Sequence, residues 1–171
     1  MNFDDFHAVL AEHFGPRASA ITRFAATGYS FEEWFNWELF SAFSFRGFTC
    51  HPKPAYRQTF APELAGQLGD LLIEGSNGER WLIEVALVHA FTQDKWRAKL
   101  ISDRLKLTSA RREAVRKLQL VVYCSHSERD LHEAWDYWLA EVPFWSEQPN
   151  HHLVLRDDAQ GEVCMKFWEV D

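Results

Sequence analysis

The stretch 67–88 constrains the chain more than any other. Two β-like runs, Gln67–Glu74 and Arg80–His89, flank Gly75-Ser-Asn-Gly78, and Asn-Gly between apolar runs is a strong hairpin signal. Side chains alternate along a strand, so Leu82, Glu84, Ala86 and Val88 share one face of the second run, and Asp70, Leu72 and Glu74 share one face of the first. If Glu74 pairs with Arg80, Asp70 falls opposite Glu84, a register that needs a five-residue connection or a bulge near Gly78. Two carboxylates facing each other across an antiparallel pair repel. They call for a bound proton, a metal ion or a compensating cation, and hard cations such as Mg²⁺ are a common solution. The plainer alternative sets one or both acids in water at a strand end, or pairs one with an arginine such as Arg80.

The segments around the hairpin specify an α/β chain. The first thirty residues read as helical, broken at Gly15-Pro16. Ser30-Phe-Glu-Glu33 matches a capping box for a helix over 31–45, and that helix is apolar nearly all round, which predicts burial. Residues 46–66 read mostly as loop, with a short edge strand around Phe48–His51. A helix is expected from Gln93 to about Arg116, then a buried strand at Leu118–Cys124, which together imply a βαβ unit. A helix over 128–141 and strands near 151–156 and 162–169 close the chain. At 171 residues and 47% hydrophobic content, a single domain 1–171 is expected. It comprises an N-terminal helical segment (1–29), a core (30–125) and a C-terminal helix plus hairpin (126–171). The aromatic-rich stretches Trp34–Phe48 and Trp135–Trp145 are read as core packing rather than base-stacking platforms, with Trp145 a possible oligomer contact.

Composition narrows the function classes. Cys50, Cys124 and Cys164 are too few and too widely spaced for a disulfide framework. No apolar run reaches the ~18 residues a membrane span needs, and the acidic N-terminal stretch does not resemble a signal peptide; a cytoplasmic location is expected. The neighbouring pairs Cys50-His51, Cys124-Ser-His126 and His151-His152 lack the spacing of a zinc site. A net charge of −7 argues against attraction to nucleic acid over the whole surface, but nine of the 18 basic residues lie between Lys95 and Lys117. A local basic face on helix 95–117 is therefore a candidate nucleic-acid contact.

One more acid draws notice. Glu38 falls in line with Phe31, Trp34, Phe35, Ala42 and Phe45, where an ionised carboxylate needs a partner, either at a site or simply in a lysine or arginine from elsewhere. Glu33 is assigned to capping. The succession of a helix with Glu38, a strand with Gly69-Asp70, a strand with Glu84-Val85-Ala86, a helix and a further strand resembles the PD-(D/E)xK, restriction-endonuclease-like superfamily over roughly residues 30–125. The resemblance implies a mixed central sheet flanked by helices. It also implies a nuclease acting on phosphodiester bonds, with Mg²⁺ or Mn²⁺ held by Asp70, Glu84 and the Val85 carbonyl, and with Glu38 orienting water or a second ion. Where that pattern carries a lysine two residues after the glutamate, this chain carries Ala86. Lys95 or Lys99 on the next helix, or less effectively Gln93, would have to replace it, though a solvated helix face is the commoner place for any one of them. The alternative to catalysis is a non-catalytic domain of the same fold that binds a protein partner or forms homo-oligomers.

Overall fold

The computed structural model describes residues 1–59, 61, 63–64, 66–88, 93–110, 115–125, 139–156 and 161–171. The helix expected over 128–141 falls almost wholly outside the described residues.

Helix α1 (Phe3–Phe14) opens on a capping box in which Asn2 Oδ1 accepts the Asp5 N–H at 2.8 Å and Asp5 Oδ2 accepts the Asn2 N–H at 2.9 Å. It buries Phe6, Val9, Leu10 and Phe14, the three-to-four spacing of one helix face. A 3₁₀ turn (Gly15–Arg17) carries Pro16 at its start, and α2 (Ala18–Thr27) ends on Gly28, left-handed at φ +75°. Helix α3 spans Glu32–Ser44 and α4 is a single turn at Tyr56–Thr59. Six strands follow the order β1-β2-β3-β4-β6-β5, with β1 Thr49–Pro52, β2 Leu71–Glu74, β3 Arg80–Val88, β4 Arg116–Ser125, β5 His151–Arg156 and β6 Glu162–Glu169. Among the described residues only β3 and β4 pair in parallel, with helix α5 (Gln93–Ser109) between them in the chain; the other pairs are antiparallel. The chain is thus a mixed α/β fold with a six-stranded mixed sheet. Among the described residues no helix is long and apolar enough to cross a membrane, and the three cysteines are free thiols.

Alternation along β3 decides what each sheet face meets. Trp81, Ile83 and Val85 join Phe6, Phe14, Phe35 and Phe43 in the main core, where Phe14 and Phe35 stack at 4.4 Å between ring centroids and tie α1 to α3. Leu82 joins Leu72, Tyr56 and Leu107 in a second cluster, placing Glu84, two residues on, on the side that α5 covers.

Burial of α3 is only partial. Phe35, Leu39, Ala42 and Phe43 are buried, whereas Trp37 is 56% and Phe45 88% exposed. The helix packs on α1 and on β1–β3 along one side, so an all-round apolar composition outruns the surface available to cover it. The capping box expected at Ser30 and Glu33 does not form: the N-cap is Phe31, one residue later, with no side-chain cap bond, which puts Glu33 at the second helical position instead of the third that a capping box needs, and its carboxylate pairs with Lys53.

These burials set the scale for one test. Trp81 is 1% exposed, edge-on to Phe3 at 5.3 Å, with the Arg116 guanidinium 4.1 Å from its ring. Trp81→Ala is expected to cost about 3–5 kcal/mol of unfolding free energy in urea titrations, while Trp37→Ala changes it by less than about 0.5 kcal/mol.

Candidate active site

The hairpin places the first two acids. Its register runs Glu74↔Arg80, Ile73↔Trp81, Leu72↔Leu82 and Leu71↔Ile83, and continued by one residue it sets Asp70 opposite Glu84. The five-residue connection closes with the Gly75 N–H donating to the Glu79 carbonyl at 2.9 Å, and Gly78 supplies the left-handed turn at φ +81°. Strand pairing stops at Leu71. There the chain bends, and the Asp70 carboxylate takes over the ladder: the Val85 N–H donates to Asp70 Oδ2 at 2.7 Å. Gly69 permits the bend, because a Cβ at that position would lie 3.0 Å from Leu82 Cδ1 and 3.3 Å from Pro54 Cγ. From the other side the Lys53 N–H holds the Asp70 carbonyl at 3.1 Å.

Helix α5 brings the cations. Lys99 Nζ lies 2.8 Å from Asp103 Oδ2, 3.5 Å from Glu32 Oε1 and 4.0 Å from Asp70 Oδ2. Lys106 Nζ lies 2.9 Å from Glu84 Oε2 and 2.8 Å from Asp103 Oδ1. Spacings of four and three residues put Lys99, Asp103 and Lys106 on one helix face, with Asp103 bridging the two ammonium groups. Tyr56 on α4 donates its hydroxyl to the remaining Glu84 oxygen, Oε1, at 2.7 Å. Asn36 on α3 reaches Asp70 Oδ1 only at 3.5 Å, and its own Oδ1 finds no partner.

Four carboxyl groups therefore gather around two ammonium groups. With every group charged, the cluster would hold an excess of two negative charges in a largely desolvated place, so protons or an added cation must make up the difference. The titration shifts follow. Glu84, 1% exposed, is pushed up to about 8 by burial and then by Asp103 and Asp70, with Lys106 opposing. Glu32 rises to about 7, chiefly through burial, against the pull of Lys99. Burial pulls Lys99 down, but Asp103, Asp70 and Glu32 more than offset it and hold the ammonium charged; Lys106 is raised by Glu84 and Asp103 against the same burial. Desolvation and the Glu84 carboxylate keep the Tyr56 phenol protonated.

Of the residues singled out in the sequence, Asp70, Glu84, Val85 and Lys99 come together. Glu38 does not join them: it accepts from His13 Nε2 at 2.6 Å and lies 3.0 Å from Arg17 Nε, so a partner from the N-terminal segment answers its need for a cation. Lys95 is exposed one turn before Lys99 and makes none of these contacts. Glu32, Tyr56, Asp103 and Lys106 complete the cluster unanticipated. Asp103 and Lys106 were legible as a Lys-x₃-Asp-x₂-Lys pattern on one face of α5. Glu32 was overshadowed by the capping reading of its neighbour, and Tyr56 lies in the stretch read as loop.

Much of the charge of the basic segment 95–117 is paired with acids from later in the chain. Arg97 pairs with Glu141, Arg104 with Glu147 and Arg116 bidentately with Glu169 at 2.8 and 3.0 Å, while Lys117 is buried and donates to the Ala110 carbonyl. Arg111 and Arg112 lie outside the described residues. An extended basic face is therefore absent from the described part of this helix.

Among the described residues no group of three or more His, Cys, Asp and Glu side chains is arranged to hold a metal ion. Mg²⁺ is nonetheless commonly held by one or two carboxylates with water and substrate phosphate completing the shell, and the donor set meets that smaller demand. Among the described residues Asp70 Oδ1 has only the long Asn36 contact, and each Glu84 oxygen keeps a second lone pair. The Val85 carbonyl points to the same side of β3 as its N–H, toward Asp70. Comparison with protein-family models, with curated proteins and with solved structures returns no match.

The raised Glu84 has a consequence for stability. A carboxyl that titrates higher in the folded than in the unfolded chain binds more protons when folded, so its contribution falls as pH rises from about 4.5 to about 8. Glu84→Gln should therefore gain on wild type across that window, by up to about 1.4 kcal/mol per pH unit. Urea midpoints of both proteins over a pH series check the sign, and a difference that stays flat refutes it.

Proposed function

We propose that this chain is a phosphodiester hydrolase acting on nucleic acid, a metal-dependent nuclease built on the restriction-endonuclease-like plan. The order α3, β1, α4, β2, β3, α5, β4, antiparallel through β3 and parallel from β3 to β4, supports that reading of the fold. The observation that carries the chemistry is the Lys99 ammonium, 4.0 Å from Asp70 Oδ2. On this reading that ammonium would stand in for the lysine that Ala86 does not supply.

Asp70 and Glu84, with the Val85 carbonyl, would hold Mg²⁺ or Mn²⁺, which when bound supplies Lewis-acid polarisation and a more acidic water. Lys99 then does what a fixed ammonium does beside a phosphate: it orients the attacking water and offsets the charge that builds on the phosphoryl oxygens. Glu32, titrating near 7 and 3.5 Å from Lys99 Nζ, is suited to accept a proton at neutral pH. Asp103 and Lys106 act through others, Asp103 by fixing Lys99 and Lys106 by fixing Glu84. A second reading, the non-catalytic domain, draws on the fact that Tyr56 and Lys106 already occupy both Glu84 oxygens, so that the cluster neutralises part of its own charge.

Cleavage of single- and double-stranded DNA and RNA with Mg²⁺ or Mn²⁺ separates the two. Wild type is expected to cut. Asp70→Asn should abolish cutting, and Lys99→Met should slow it by about 10²–10³-fold, the loss typical of one fixed electrostatic donor. Lys95→Ala and Glu38→Gln should stay within about twofold of wild type, since neither side chain reaches the cluster. No cleavage by wild type, joined to no Mn²⁺ binding by calorimetry, overturns the nuclease reading.

A further inference from the structure

A cleft of about 200 Å³ opens beside the cluster, lined by Glu33, Asn36, Trp37, Pro52, Lys53 and Asp70. We propose that this cleft seats one unstacked nucleobase against the Trp37 ring, which makes single-stranded nucleic acid, rather than duplex, the substrate; the proposal rests on the hydrolase reading of the adjoining site and names its substrate class.

Trp37 is the first ground. Trp81, Trp96 and Trp168 are buried, yet Trp37 is 56% exposed on the cleft wall. Phe40 packs nearly perpendicular to it, at 5.5 Å and 80°, which fixes the plane of the indole before anything binds. A preset aromatic plane in a cleft of this size suits a flat heterocycle, and stacking accepts any base because every base has a π-face.

The cleft wall supplies the second ground. Lys53 holds a left-handed backbone, φ +51°, unusual for a residue with a side chain, and its N–H anchors the Asp70 carbonyl. Its ammonium is 54% exposed and pairs with Glu33. Exposed pairs of this kind are worth at most about 1 kcal/mol, so an incoming phosphate can take the lysine while the Glu33 carboxylate is left to accept from a base N–H, the ring imide of thymine or uracil included. Asp70 belongs to both the cleft wall and the acidic cluster. A base on Trp37 therefore brings its own phosphodiester linkage toward Asp70 and Lys99.

Charge excludes the duplex. In a double helix both faces of each base are covered by neighbours, and binding depends on a track of cations along the phosphates. The net charge is −7, and each described arginine of α5 has a glutamate beside it, Glu141 or Glu147, so the described part of that helix offers no run of uncompensated cations. A single strand offers what this cleft can use, a free base face and a local phosphate.

Fluorescence anisotropy with labelled oligothymidylate, oligouridylate and a hairpin duplex of equal length, in EDTA so that cleavage plays no part, tests this. Either single strand should bind at least about tenfold tighter than the duplex. Trp37→Ala should weaken single-strand binding by about 5- to 150-fold, the loss of one stacked base, and Trp37→Phe should recover most of it. Lys53→Ala should lower the slope of log affinity against log salt by about 0.7. Equal affinity for duplex and single strand, or a Trp37→Ala protein that binds as wild type does, overturns the proposal. Metal-dependent cleavage that persists unchanged in Trp37→Ala would leave the hydrolase standing without this cleft; base-dependent binding with no cleavage would do the reverse.

Discussion

Two lysines on one face of α5, held to each other's surroundings by Asp103, are what allow the acids of the hairpin to be buried at all. Glu84 is 1% and the Asp103 residue 3% exposed, and a carboxylate so far from water carries a desolvation cost of several kcal/mol unless a cation and hydrogen bonds meet it. Lys106 and Tyr56 supply those bonds for Glu84, and Lys99 and Lys106 together supply them for Asp103. Each ammonium is fixed by the carboxylate it serves, so α5, the β2–β3 hairpin and the Tyr56 turn are positioned by one shared network. Removing Lys106 would leave Glu84 buried with only the Tyr56 hydroxyl, a heavier loss than the pair's net worth.

Ala86 belongs to the same logic. It is fully buried in the cluster that includes Trp96 and Leu100 of α5, and a side chain as long as lysine at that position would overpack the layer between sheet and helix. The small residue lets α5 lie close on β3, and that closeness is what carries the Lys99 and Lys106 stems to the carboxylates. Charge reaches the site from the helix that covers it rather than from the strand beneath.

Elements whose cues are local were readable from the residues: the 75–78 turn, the alternation along β3, the run that became β4, and the closing strands at His151–Arg156 and Glu162–Glu169. What was hidden depends on contacts between segments far apart in sequence. Glu33 had a local partner available in a capping box and took Lys53, 20 residues away, instead. Tyr56 sits among prolines in a stretch without periodicity, and only the antiparallel return past Pro54 and Gly69 carries its hydroxyl to Glu84. The exposed Trp37 was hidden for a related reason: composition states how apolar a helix is, not how much of it the rest of the chain can cover.

The choice of acid on α3 shows how a short displacement changes chemistry. Glu32 and Glu38 are six residues apart, about 9 Å along the axis and about a third of a turn around it. At position 38 the carboxylate meets His13 and Arg17, two partners that hold it in an ordinary ion pair. At position 32 it sits in the first helical turn, where the exposed backbone N–H groups favour negative charge, yet it also faces Lys99, Asp70 and Asp103. Burial and two neighbouring acids push its titration up to about 7. Glu32 lies 3.5 Å from the Lys99 ammonium, so a change in its charge is felt directly by a cation that also approaches Asp70. Of the two glutamates, it is therefore the one at the helix mouth, not the one in line with the apolar stripe, that couples α3 to the cluster on α5.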